Sequence, residues 1–198
     1  MGYDMYTVKE ADADEKAAVK AAQEICSNLV FPWTLQEGTP EREAAEKAHR
    51  EAFNALAAVE KSYFRLNIWG MSTCREWMDV LGMVTDQPAP EWPEPGAYGL
   101  DDYPDEDSKT LTDDERKFLA DHEAASDHEP QPVTGIPMYK LCSNDGWLVT
   151  AAQCAAALEA WEKAPAARRA DVASEREWWP SWIAFLTHSK DRGGFRVH

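Results

Sequence analysis

The chain has 198 residues, 44% of them hydrophobic and 28% charged, which suits one globular domain with a substantial core and excludes wholesale disorder. Its 36 acidic against 20 basic residues give a net charge of −16, a surface that repels phosphate backbones and anionic lipid, so direct nucleic-acid binding and membrane association are not expected. No apolar run reaches the roughly 18 to 20 residues of a membrane helix, the opening MGYDMY lacks a basic-then-apolar targeting pattern, and Cys26, Cys74, Cys142 and Cys154 form no CxxC pair. A reduced, soluble, cytoplasmic protein is the expectation.

In chain order, residues 2–8 (GYDMYTV) read as a strand with Tyr3, Met5 and Thr7 on one side and Asp4, Tyr6 and Val8 on the other. From about Asp12, Ala18, Ala21 or Ala22, Ile25 and Leu29 recur at helical spacing, with acids in the first turn. Thr39 and Pro40 then supply a cap and a first helical position for a second helix, whose stripe of Ala45, Ala48, Ala52, Leu56 and Val59 permits close packing on the first as a helical hairpin. His49 reads as a surface residue of that helix.

The most apolar stretch, residues 62–84, changes period from helical to two. Phe64, Leu66 and Ile68 are predicted to face the core, with Tyr63, Arg65, Asn67 and Trp69 on the opposite side, over a strand at 63–69. Gly70 ends it, Ser72 caps a short helix burying Trp77 and Leu81, and the GMSTC turn, with one glycine and no lysine, is no phosphate loop. No cofactor motif is present.

Residues 85–110 carry prolines at 88, 90, 93, 95 and 104 and read as an irregular excursion. Counted from Thr85 to Pro130, 15 acids stand against three bases, a net of −12 that leaves −4 for the other 152 residues. The run from Asp101 has no EF-hand spacing. A capping box of Thr112 and Glu115 opens a helix that runs into DHEAASDHE, in which His122 and His128 are the candidate metal ligands, although six residues apart they do not share a helix face.

Residues 138–142 and 147–149 read as a hairpin around Ser143-Asn144-Asp145-Gly146, with Cys142 a buried, inert thiol. Thr150 and Gln153 cap a following helix, and further helical segments lead through Pro180 to Gly193-Gly194 and a short terminal edge strand at 195–198. Of nine tryptophans most read as core.

Four blocks, YFRLNIWGM, CSNDGWLVT, GGFRVH and MGYDMY, resemble uncharacterised small proteins of actinobacteria and their phages. The resemblance implies a source and no activity, and it transfers no functional residue.

The predicted fold is therefore α+β over a single domain: a small, mainly antiparallel sheet from residues 2–8, 63–69, 138–142, 147–149 and 195–198, packed against four or five helices and carrying a long acidic, proline-rich loop. Three functions are carried forward. A non-catalytic accessory protein, phage-related in the sense of the resemblance, would engage a basic protein partner through residues 85–130, with Asp101, Asp102, Asp105, Glu106 and Asp107 as its contacts. A small-ligand or carbohydrate-binding domain would use Arg65, Asn67, Trp69, Asn144, Asp145 and Trp147. A metal-dependent hydrolase would be built on His122 and His128. Binding ranks first because no nucleophile, base and orienting group form a complete set.

Overall fold

A computed structural model describes residues 2–106, 108 and 110–198. The α+β class is as predicted: a four-stranded antiparallel sheet is covered on one face by helices. The strands β1 (Gly2–Thr7), β2 (Tyr63–Asn67), β5 (Trp147–Thr150) and β6 (Gly194–Val197) lie in the order β2-β1-β6-β5, with β3 (Val84–Thr85) and β4 (Ile136–Pro137) forming a separate two-residue parallel pair.

Alternation along the strands decides which face is covered. Tyr3, Met5, Thr7, Leu66, Trp147, Val149, Phe195 and Val197 are buried on the inner face, where α5 (Ala151–Lys163) and α7 (Trp179–Asp191) pack. From α7, Trp182 meets Phe64 at 5.4 Å and Phe195 at 5.9 Å between ring centroids, and Phe185 meets Phe195 at 5.1 Å. Trp179, Trp182 and Leu186 are fully buried, so this aromatic layer between sheet and helix is the centre of the core. Both capping boxes form: Thr112 with Glu115 opens α4 (Asp113–Ser126), and Thr150 with Gln153 opens α5. The helix α6 (Ala166–Glu175) precedes α7, completing seven helices among the described residues rather than four or five.

Other departures from the sequence reading have local causes. The strand from Tyr63 ends at Asn67, because the Asn67 side chain accepts a hydrogen bond from the Gly70 amide at 2.7 Å and so caps α3 (Ile68–Val80) itself; Ser72 lies inside the helix. The first turn is tightly packed at Gly70, where a Cβ would stand 3.2 Å from Asn67 Oδ1 and 3.3 Å from Leu66 Cδ2. Ile68 consequently leaves the core and is half exposed. Residues 138–142 are not a strand: Pro137 lacks an amide hydrogen and Met138–Leu141 turn as a 3-10 helix, so no 138–149 hairpin forms. Instead β5 pairs with β6, which is an interior strand between β1 and β5 rather than an edge.

The first two helices, α1 (Ala13–Ser27) and α2 (Pro40–Val59), pack on each other through the predicted small-residue stripe. None of α1 is buried, and the pair stands against the rest of the protein chiefly at the α1 N-terminus. His49 is its one buried residue, contrary to the surface reading: Phe31, Trp33 and Phe53 surround the imidazole, and Nε2 lies 3.1 Å from the Val30 carbonyl oxygen. Those three rings are themselves largely exposed, as is Trp69, so Trp33 and Trp69 are the two tryptophans outside the core.

Candidate functional sites on the open sheet face and the acidic strap

The outer face of the β1–β2 pair carries the alternate residues. Tyr6 stands opposite Tyr63 and Asp4 opposite Arg65 in the register. Asp4 is the hub: Tyr63 donates its phenolic hydrogen to Asp4 in a short hydrogen bond, and Arg65 Nε lies 3.6 Å from the same carboxylate. Burial, with the Asp4 hydrogen bond second, pushes the Tyr63 hydroxyl up to about 12. The predicted row of Arg65, Asn67 and Trp69 is open to solvent but does not act as a unit. Arg65 is engaged with Asp4, Asn67 caps α3, and Trp69 is 81% exposed with no wall beside it.

A cavity does lie on this face, at the Tyr63 end. Helix α1 overhangs the strands there and forms with them an open cleft of about 370 Å3 lined by Tyr6, Tyr63, Val19, Glu60 and Ser62 among others. The overhang is fixed by Glu15, a nearly buried carboxylate that accepts from the Ser62 amide at 2.7 Å and from Arg192 at 3.2 Å, with His188 Nε2 at 3.7 Å. Burial, and then Arg192, hold His188 below the ordinary imidazole range. The sequence pattern placed Tyr63 on the same side as Arg65; nothing in it told that a helix would lean over that end.

The proline-rich excursion is a strap rather than a free loop. Trp92 packs edge-on against His122 at 4.5 Å and against Trp147 at 4.7 Å, Pro95 is buried, and a short 3-10 turn at Pro95–Tyr98 brings the Tyr98 hydroxyl within 2.8 Å of Asp121. Tyr98 and Tyr103 both meet Phe118 of α4 edge-on. With the backbone held in this way, Asp86, Glu91, Glu94, Asp101, Asp102, Asp105 and Glu106 are all exposed. Asp107, the last of the predicted partner-binding acids, lies outside the described residues.

Between α4 and the 144–146 turn runs an open groove of about 800 Å3 that gathers residues from all three sequence-predicted sets: Asn144 and Asp145 line it together with His122 and Glu106. Its cations are already engaged. Arg196 bonds to Asp127 at 2.7 Å and to the Gly146 carbonyl at 2.9 Å, and Arg116 to Asp113 and the Leu111 carbonyl. Asn144 donates to the Gly2 carbonyl at 2.7 Å, and Trp147 is buried with its indole N–H donated to Ser143, so it is a wall rather than a stacking platform. His122 sits on α4 against Trp92, whereas His128 is exposed beyond the helix end. Among the described residues no group of three or more His, Cys, Asp and Glu is placed to hold a metal ion.

Two further groups differ from expectation. Cys142 is exposed, with its thiol toward the Met138 carbonyl, because the 3-10 turn carries it outward. The same turn buries Lys140 completely, its ammonium donating to the Leu148 carbonyl at 2.5 Å and to Gln153 Oε1 at 3.2 Å. Burial pulls the Lys140 amine down to about 8, against the opposing pull of Glu129 and Asp127. No helix among the described residues is long and apolar enough to cross a membrane. Comparison with known proteins finds no matching family model, no matching curated protein and no matching solved structure.

Proposed function

We propose that this protein is a non-catalytic interaction protein that presents the acidic strap to a basic surface on a protein partner. The observation that carries this reading is the anchoring of the strap: Trp92, Pro95 and Tyr98 fix its backbone on the body while its carboxylates point outward. A charge run in a free chain loses conformational entropy when it binds, whereas one already held in place loses less, so the same charges give tighter and more selective association. The concentration of charge in residues 85–130 is the second support, since a local field steers a basic partner to one face.

The test compares two variants of equal net charge. One neutralises the strap (Glu94→Gln, Asp101→Asn, Asp102→Asn, Glu106→Gln), and the other removes four exposed acids elsewhere (Glu162→Gln, Asp171→Asn, Glu175→Gln, Glu177→Gln). Binding of a fluorescent oligolysine peptide at physiological salt is expected to weaken at least ~10-fold in the first and less than ~2-fold in the second. Equal losses would mean that only net charge matters, and the strap would not be the binding surface.

A further inference from the structure

Independently of the strap, the cavity beneath α1 has the composition of a ligand site. Its volume of about 370 Å3 falls at the small end of the ~300 to 1,000 Å3 range of small-molecule pockets, enough for one or two fused rings. Tyr6 and Tyr63, with ring centroids 5.0 Å apart, form an aromatic floor, and Val19 of α1 forms the apolar roof.

Polar groups at one end lack partners. The Ser62 hydroxyl is buried with no hydrogen bond. Glu60, half-buried in the wall, makes no ion pair and no side-chain hydrogen bond among the described residues. Its neighbour Glu15 is satisfied by Ser62 and Arg192, which leaves Glu60 as the unbalanced charge. Of the two lysines at the rim, Lys16 is bound to Glu10 at 2.6 Å, and Lys20 is exposed, where water and salt screen it.

We propose that this cavity binds a small primary amine carried on an aromatic body, with the ring over Tyr6 and Tyr63, the ammonium against Glu60, and one N–H donated to Ser62 Oγ. Tyrosine faces attract cations, and a half-buried carboxylate without a partner is relieved by one, so the two surfaces favour the same sign of ligand. Burial first, and then the Glu15 carboxylate, hold Glu60 above the usual carboxylate range, and a cation beside it reverses that shift. An anionic ligand would meet Glu60 and Glu15 instead.

Three indoles that share one ring and differ in side-chain charge separate the contributions by calorimetric titration of the full chain: tryptamine, neutral 3-methylindole and indole-3-acetate. Tryptamine is expected to bind below ~1 mM and indole-3-acetate at least ~10-fold more weakly. Glu60→Gln should bring tryptamine to the level of 3-methylindole, and Tyr6→Ala, at a half-exposed position that tolerates truncation, should weaken all three. Matching circular dichroism and melting temperature of the variants verify the fold. Binding of indole-3-acetate as tight as that of tryptamine, an unaffected Glu60→Gln variant, or no tryptamine binding below ~1 mM would each overturn the proposal.

Discussion

Gly194→Ala is expected to cost at least about 4 kcal/mol, a large share of the ~5 to 15 kcal/mol that holds a domain together. Two effects add. Gly194 has φ of +103°, a conformation that L side chains rarely adopt, and a Cβ there would run into the Val149 carbonyl oxygen and the Thr150 backbone. Neither obstacle is the flexible end of a side chain, so relief requires moving β5 away from β6 and breaking the ladder between them. Gly38→Ala separates the terms, because Gly38 also has positive φ (+77°) but open space around it. It should cost about 1 to 2 kcal/mol from the dihedral alone. Urea unfolding of both variants measures the difference. Equal losses would mean that the strands do not approach as closely as the register requires.

Stability should peak near pH 9 and fall above it, and the sign follows from three buried groups. Burial holds the folded Lys140 amine at about 8, below the ordinary 10.5 of a lysine. From pH 8 upward the unfolded chain therefore holds a proton that the folded protein has released, and stability rises by up to about 1.4 kcal/mol per pH unit. Burial pushes the Cys74 and Cys154 thiols the other way, Cys154 up to about 12 from an ordinary 9.0. Above pH 9 the unfolded thiols ionise while the folded ones stay protonated, so each removes up to about 1.4 kcal/mol per unit. Two losses against one gain leave a net decline, and Tyr63, also raised, adds to it above pH 10. Denaturant unfolding under reducing conditions at pH 8, 9 and 10 checks this. Cys74→Ala with Cys154→Ala should turn the alkaline decline into a continued rise, and Lys140→Met should abolish the rise between pH 8 and 9. A flat profile in the wild-type protein would show that these groups are solvated.

The elements set by short-range chemistry were legible in the sequence. Caps at Thr39, Thr112 and Thr150 report themselves through residues one to three positions away, and the alternation in β1 assigns Met5 and Tyr6 to opposite faces without any tertiary information. What failed depended on distant partners. The apolar run 138–142 has strand composition, and only its place beside β5, which receives the Lys140 ammonium, makes a 3-10 turn the better solution. His49 looks like a helix-surface residue until the 31–33 segment folds over it. The candidate sites divide in the same way. Local charge density drew attention to the acidic strap, whereas the cavity at Tyr6 and Tyr63 depends on Glu15 meeting Arg192, 177 residues away along the chain.

The interior position of β6 bears on how the chain is made. Because β1 pairs with both β2 and β6, and β5 pairs with β6, the sheet has no continuous ladder until residues 194–197 arrive. During vectorial synthesis the β1–β2 pair, on one side, and β5 with its following helix, on the other, emerge as separate pieces, each with an unpaired edge. β6 joins them, pairing with β1 on one side and β5 on the other. Until β6 has emerged, the side of β1 away from β2 has no strand partner. The Met5–Val197 pairing is non-local, the kind of contact whose loop-closure entropy slows folding, and the sheet is continuous only once it is made.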